Sequence, residues 1–371
     1  MTTSIEYKFK IFEKINSDEW NLNLKKSSYA TFFQTTTYFK TQDDTRFPIY
    51  IYVYDEKNKI VGQLVVSIIK KPVIYSTSRF QWISNIVSNL GNRGSWVSGP
   101  IIHTDNQNER IKILDIFLKS LNDIVQKYNL ILLDGYSPVE GHIDEEYIKK
   151  FKENNYSVEK FITFRTDLRK KIEDIWKNLE KNARNDVTKA ERQNVMVREI
   201  RSKEELREYL LLSKKWAKTK GIEVSDPLKN LEHDWLNYQA GMQKFFVAFQ
   251  NNEIISGLRI VIFNELAYTH EVLNSYTKEA SVGGPALTWY AIKWAKENGM
   301  RIYDFSGVKI NSKEEMIGLE KYKKKWGGSE FPYYHFIKVV NSKKYQISRF
   351  LTRPDWYYRD YKRRHFKRPR K

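Results

Sequence analysis

One order of elements occurs twice along this chain. An apolar hairpin, Ile49 to Tyr54 and Ile60 to Ile69 around the turn Glu56-Lys57-Asn58, leads to a helix over residues 108–127. A short strand from Leu130 to Asp134, a helix over residues 144–154 and a strand from Val158 to Leu168 complete the set. The second copy starts with Phe245 to Phe249, turns at Asn251-Asn252 and returns over Glu253 to Phe263. It continues as a helix over residues 286–298, a strand from Arg301 to Phe305 and a strand from Tyr333 to Val340. Asp304 therefore answers Asp134. Short apolar runs bounded by turn residues read as strands, while Leu287, Tyr290, Ala291 and Trp294 recur at the period that buries one helix face. Such alternation calls for an α/β (α+β) fold with mixed sheets flanked by helices, and its repetition implies one unit used in tandem. The expected division is a first unit over residues 1–168, a basic helical join over 169–201, a second unit over 202–340 and a tail over 341–371.

The chain has 371 residues, enough for two cores of ordinary size. It has no cysteine, which excludes a disulfide scaffold, a thiol nucleophile and thiolate zinc sites. Its six histidines show no metal-ligand spacing. No run of apolar residues is long enough to span a bilayer and no leader-like segment opens the chain, so a cytoplasmic location is expected. The formal charge of +19 is concentrated at the end, where residues 341–371 carry twelve Lys/Arg against two Asp, a balance of +10. Trp356, Tyr357, Tyr358, Tyr361 and Phe366 are interleaved with those charges. Such a tail suits a polyanion or peripheral contact with an anionic membrane, or is simply a solvated run.

The densest chemistry lies between Gly283 and Gly328. Gly283-Gly284-Pro285 opens a helix, Arg301-Ile302-Tyr303-Asp304-Phe305-Ser306-Gly307 follows, and a polar loop leads to Tyr322-Lys323-Lys324-Lys325-Trp326-Gly327-Gly328. Pro285 fits a first helical turn because the N–H it lacks would have had no partner there. A helix, a tight turn and a strand ending in Asp form a layered unit whose loops beyond the strand ends are natural places to hold a ligand.

These residues resemble a family. Phe33-Gln34, Gly99-Pro100, Asp134 with Pro138, Asn182-Ala183-Arg184 leading into Lys189-Ala190, the Ile302 to Gly307 run, and Tyr322-Lys323 with Trp326-Gly327-Gly328 look like the FemABX aminoacyltransferases. The likeness covers residues 31–340 in order. It implies two tandem GNAT-like (Gcn5-related N-acetyltransferase-like) domains. It also implies transfer of an amino acid from aminoacyl-tRNA onto an amino group of a cell-wall peptide precursor, with no further cofactor. This sequence departs from the family at Thr188, where an Arg commonly precedes the Lys-Ala pair.

In that reaction an amine attacks an ester carbonyl, so a site must hold two substrates in contact, stabilise an oxyanion and manage one proton. The resemblance makes Lys323 the first candidate, as a fixed ammonium near a developing oxyanion or a diphosphate; otherwise it is one of three successive lysines at an exposed helix end. It also makes Tyr268 a pocket residue, where the ordinary reading is a core tyrosine bonded to a carbonyl. Asp304 and Glu271 are the available carboxylates, and Asp304 could equally cap the turn that follows it. Tyr322 and Trp326 flank the lysine as substrate-binding candidates. Arg184 and Lys189, five residues apart on the joining helix, are candidates for a phosphate. His270, near Tyr268, is a possible base or a structural ring.

Two other readings stay open. A GNAT-type acyltransferase would cradle coenzyme A diphosphate on Arg/Gln-x-x-Gly-x-Gly/Ala, but Ala280-Ser281-Val282-Gly283-Gly284-Pro285 fails that pattern at its first position and Pro285 removes a donor. The other is a non-catalytic protein that binds RNA or a membrane surface.

Overall fold

The computed structural model describes residues 6–40, 46–70, 81–219, 226–251, 253–274, 282–310 and 314–352. Its strands are β1 Lys8–Phe12, β2 Arg46–Tyr54, β3 Ile60–Ile69, β4 Asn92–Trp96, β5 Ile101–Ile102, β6 Leu130–Tyr136, β7 Ser157–Asp167, β8 Met196–Glu199, β9 Gln243–Gln250, β10 Glu253–Phe263, β11 Leu266–Asn274, β12 Ile302–Asp304, β13 Val308–Lys309 and β14 Ser329–Val339. The helices are α1 Ser17–Lys25, α2 Thr36–Lys40, α3 Gln81–Leu90, α4 Gln107–Lys127, α5 Glu145–Glu153, α6 Ile172–Asn178, α7 Lys181–Arg192, α8 Lys203–Thr219, α9 Leu231–Gln239, α10 Gly283–Glu297, α11 Glu314–Lys324 and α12 Ser342–Thr352.

Both expected hairpins are present as antiparallel β2–β3 and β9–β10, and both expected central helices as α4 and α10. Each central helix buries an apolar stripe on its half of the sheet: Ile113, Leu114, Phe117 and Leu121 on α4, and Leu287, Ala291, Ile292 and Ala295 on α10. Full burial of each Leu, Ile or Phe among them is worth roughly 1.5–3 kcal/mol, which is why these two helices anchor their halves.

The two halves share one sheet. From one edge its order is β1-β2-β3-β4-β6-β14-β7, and from the other β8-β9-β10-β11-β12-β7-β14. The two sequences correspond strand for strand, including a parallel pair (β4–β6, β11–β12) and then an antiparallel neighbour. That neighbour comes from the other half in each case. The closing strand of the first half, β7, lies against β12, and the closing strand of the second half, β14, lies against β6; the two pair with each other at the centre.

Three local expectations change. The basic helical join expected over 169–201 holds two helices, α6 and α7, parted at Leu179-Glu180, and then strand β8. The polar loop before Tyr322 contains β13 and most of α11, so Lys323 sits on a helix. The tail begins with a further helix, α12, while residues 353–371 lie outside the described residues. Among the described residues no helix is long and apolar enough to cross a membrane, and no group of His, Asp and Glu could hold a metal ion.

Candidate functional site

The parallel pair β11–β12 is short. Leu266, Ala267 and Tyr268 pair with Ile302, Tyr303 and Asp304, after which β12 ends while β11 runs on to Asn274. At that parting Asp304 is 1% exposed. Its Oδ1 accepts from Thr163 Oγ1 at 2.5 Å and the Ser306 backbone N–H at 2.8 Å, and its Oδ2 accepts from Arg165 Nε at 2.6 Å. Arg165 in turn donates to Glu140 Oε2 at 2.7 Å. Thr163 and Arg165 both belong to β7, so the exchanged strand of the first half completes the carboxylate's surroundings in the second. A buried carboxylate requires such partners, because its charge would otherwise be left without solvation.

Ser306 joins Asp304 to Lys323. It adopts a left-handed backbone with φ 61°, which turns its carbonyl and hydroxyl toward α11. The Lys323 ammonium donates to Ser306 O at 2.9 Å, Ser306 Oγ at 2.8 Å and Gly307 O at 3.1 Å. Only 8% of Lys323 is exposed. Burial pulls its pKa down to about 8, and the Asp304 carboxylate acts in the opposite direction. It is thus a fixed cation with a proton that is labile near neutral pH, unlike a solvated lysine.

Tyr268 faces the same corner. Burial and the Asp304 charge raise its phenol far above the ordinary value, against the smaller effects of a hydrogen bond with Ser306 and the Arg165 charge. Its ring meets Phe33 edge-on at 5.5 Å, so the first half supplies a wall as well as an ion pair. Tyr136 is pushed up to about 12, chiefly by burial, and Tyr333 is raised by burial with Tyr268, Tyr136 and Asp304 as neighbours. Three neutral phenols therefore gather at the Asp304 corner. His270 packs against Phe33 at 5.8 Å. Surrounding protein and the Arg259 charge lower its pKa to about 3 although the ring keeps open surface, so it is neutral at physiological pH.

The remaining expected residues are placed differently. Tyr322 shares a hydrogen bond of 3.1 Å with Thr288 on α10. Trp326 is fully buried and, with Arg165, Glu140, Asn178 and Phe331, lines a cavity of about 260 Å³. Gly327 and Gly328 explain their place in the motif: a Cβ on the first would lie 2.4 Å from Asn178 O, and one on the second 2.9 Å from Arg165 N. Glu271 pairs with Arg259 Nε at 3.3 Å and accepts from Tyr209 Oη at 3.2 Å, away from the Lys323 network. The Arg184 guanidinium donates to the carbonyls of Lys177 and Leu179 and closes the end of α6. Lys189 is exposed on α7.

Sequence reasoning passed over Arg165, Glu140, Thr163 and Ser306. The one available signal was a charge among alternating apolar and hydroxyl residues inside β7, whose residues 162–166 are all buried; an Arg there needs a carboxylate.

The first turn of α10 has its own constraint. Gly283, Gly284 and Pro285 are buried, with Gly283 against Ser256 and Gly284 against Asn274. The first two residues of the expected coenzyme register, Ala280 and Ser281, lie outside the described residues.

Neither a family model nor a curated protein sequence matches the chain. Among solved structures, that of FemX is similar over 91% of this chain and 99% of that one, with a TM-score of 0.69 at 15% identity. A tandem GNAT protein from the clavulanic acid biosynthesis pathway covers 89% of this chain and 98% of its own, with a TM-score of 0.53 at 10% identity. A conserved protein of unknown function from Bacteroides thetaiotaomicron VPI-5482 gives 87% and 93%, 0.50 and 12%. The fold is that of two GNAT-like units in tandem, arranged as in FemX, as the sequence led one to expect.

Proposed function

We propose that this protein is an aminoacyltransferase that moves an amino acid from aminoacyl-tRNA onto an amino group of a cell-wall peptide precursor. The observation that carries this reading is the buried Lys323 ammonium, held by three acceptors at the place where β11 and β12 part. There it can act on an ester carbonyl entering the cleft: a fixed positive charge stabilises the tetrahedral oxyanion, and little reorganisation is needed during reaction. Tyr268 adds a neutral O–H donor on the same side. Asp304 touches no reacting atom in this scheme; it positions Ser306, and through it Lys323.

Holding amine and ester in contact can contribute on the order of 7 kcal/mol or more, which makes a strong general base dispensable for an α-amino acceptor. Pro285 removes one backbone donor from the first turn of α10, which disfavours that turn as a seat for a coenzyme diphosphate. A tRNA donor also suits the positive balance of the chain. A cytoplasmic location follows from these substrates.

The test is to incubate the purified protein with pools of charged tRNA and candidate peptide precursors, and to follow the product by mass spectrometry. Transfer from charged tRNA, abolished by prior deacylation, is expected. Turnover of an acyl-CoA with none from charged tRNA would replace this reading with that of a GNAT-type acyltransferase.

A further inference from the structure

Arg165 is left with one nitrogen to spare. Its Nε is engaged by Asp304 and its Nη1 by Glu140, while Nη2 makes no hydrogen bond among the described residues. The side chain is 6% exposed and lines the cavity of about 260 Å³ beside Trp326. Thr166, the next residue on β7, lines the same cavity at 7% exposure, and its hydroxyl has no partner either. Strand neighbours point to opposite faces, yet both reach this space because β14 begins opposite Arg165 and leaves the edge of β7 open from Thr166 onward on that side. Donors buried without acceptors are costly, so an unused N–H and an unused hydroxyl at one cavity call for something to fill it.

Three cations and two carboxylates border the cavity. Asp167 is held by Arg169 through Nε and Nη2, both at 2.8 Å, and Glu140 is held by Arg165. Lys170 is exposed and has no ion-pair partner among the described residues. One positive charge is thus in excess, beside a guanidinium N–H and a hydroxyl that are both free. A single carboxylate balances that set. A phosphate dianion would bring more negative charge toward Glu140 and Asp167 than the site can offset. The rest of the wall, Ile175, Ile302, Trp326 and Phe331, is apolar, so the group that carries the carboxylate should be apolar too.

The arrangement is built in advance. Glu140 and His142 both adopt left-handed backbones, with φ 60° and 53°, on either side of Gly141. The Gly141 carbonyl accepts from Arg110, a guanidinium only 1% exposed that also donates to Thr104 O at 2.9 Å. Glu140 is thereby fixed against Arg165 Nη1, and the space beside Nη2 is left to a ligand.

We propose that this cavity binds a carboxylate carried beside a small apolar group, as at the end of a peptide, with Arg165 Nη2, the Thr166 hydroxyl and the Lys170 ammonium as its donors. This deepens the proposed function and, for the identity of the ligand, rests on it: the carboxylate is then that of the acceptor. Arg165 meets Asp304 Oδ2, and Lys323 is reached from Oδ1 through Ser306, so the two substrates would be gripped from one buried carboxylate.

The experiment uses the full chain without donor and compares N-acetylalanine with N-acetylalanine amide, two probes that differ in charge alone, by ligand-observed NMR. The acid is expected to bind about tenfold or more tighter than the amide. Thr166→Val combined with Lys170→Ala should weaken binding of the acid by about tenfold. The melting temperature of that variant should match the parent's, because the hydroxyl has no partner to lose and Lys170 is exposed. The proposal is overturned if the acid does not bind, if acid and amide bind alike, if the variant binds the acid as the parent does, or if inorganic phosphate displaces the acid at lower concentration. Transfer supplies a second readout: amidating the acceptor's carboxylates should raise KM by about tenfold with little change in kcat. Binding of the acid with no transfer from charged tRNA would leave the site standing and remove the transferase reading. Transfer with an unchanged KM for the amidated acceptor would keep that reading and remove the site.

Discussion

The two halves use the same strands for different ends. In the first half the parallel pair β4–β6 holds together from Asn92 with Leu130 to Trp96 with Gly135, and the fully buried Trp96 fills the space beyond. A Cβ on Gly135 would lie 1.9 Å from the Trp96 ring, so the two residues depend on each other. In the second half the matching pair β11–β12 lasts three residues and then opens. The aspartates that answer each other follow suit. Asp134 meets His335 Nε2 at 2.9 Å near the surface, with side chains 18% and 14% exposed, whereas Asp304 is buried among Thr163, Arg165 and Ser306. The two halves thus end the same strand pair differently: one packs an indole against a glycine, and the other holds a buried ion network.

That contrast can be attacked directly. Arg165→Ala strands the Asp304 carboxylate in the interior and should cost about 3–5 kcal/mol of stability, read by thermal or denaturant unfolding. Lys323→Met should lower transfer by about a hundredfold while the protein stays folded, since the change removes a buried charge along with its hydrogen bonds. His335→Ala, the matching insult to the other half, should cost only about 1–2 kcal/mol and leave transfer nearly intact. If its cost equals that of Arg165→Ala, or if it abolishes transfer, the assignment of scaffold and site to the two halves is wrong.

The smallest expected effect is a titration. A protonated Lys323 is required in the proposed chemistry, so transfer should fall as pH rises through about 8, and Lys323→Arg should carry any remaining activity beyond that limit. Stability moves the other way. Because the folded pKa lies below the ordinary lysine value of 10.5, the unfolded chain binds more protons between those two values, and the folded state gains stability as pH rises from 8 towards 10.5. Lys323→Met should lack that gain when unfolding is followed across the same pH range.

Much of the scaffold could be read from spacing alone. Both hairpins, α4 and α10, and the correspondence of Asp134 with Asp304 are local patterns, carried by alternation and by the 3.6-residue period. Lys323 was legible only through a resemblance, since three successive lysines look like a solvated helix end until one of them is found buried. The helix α12 was hidden in the same way, its period masked by charge. What spacing could not disclose was the exchange of β7 and β14. Arg165 finds Asp304 139 positions later, and no periodicity within either half specifies that a closing strand belongs to the other.

The exchange also bears on how the molecule is made. The two strands that flank β7 in the sheet, β12 and β14, are both translated long after β7 itself. A ribosome that has finished the first half has therefore made β7 with no strand to pair with and β6 with a bare edge, of the kind that invites pairing with another chain. Polypeptides stopped short of Ser329 would lack β14, leaving the β6 edge bare and β7 covered on one side only. If the proposed transfer is right, it waits on completion of the chain, and either half expressed alone should be inert.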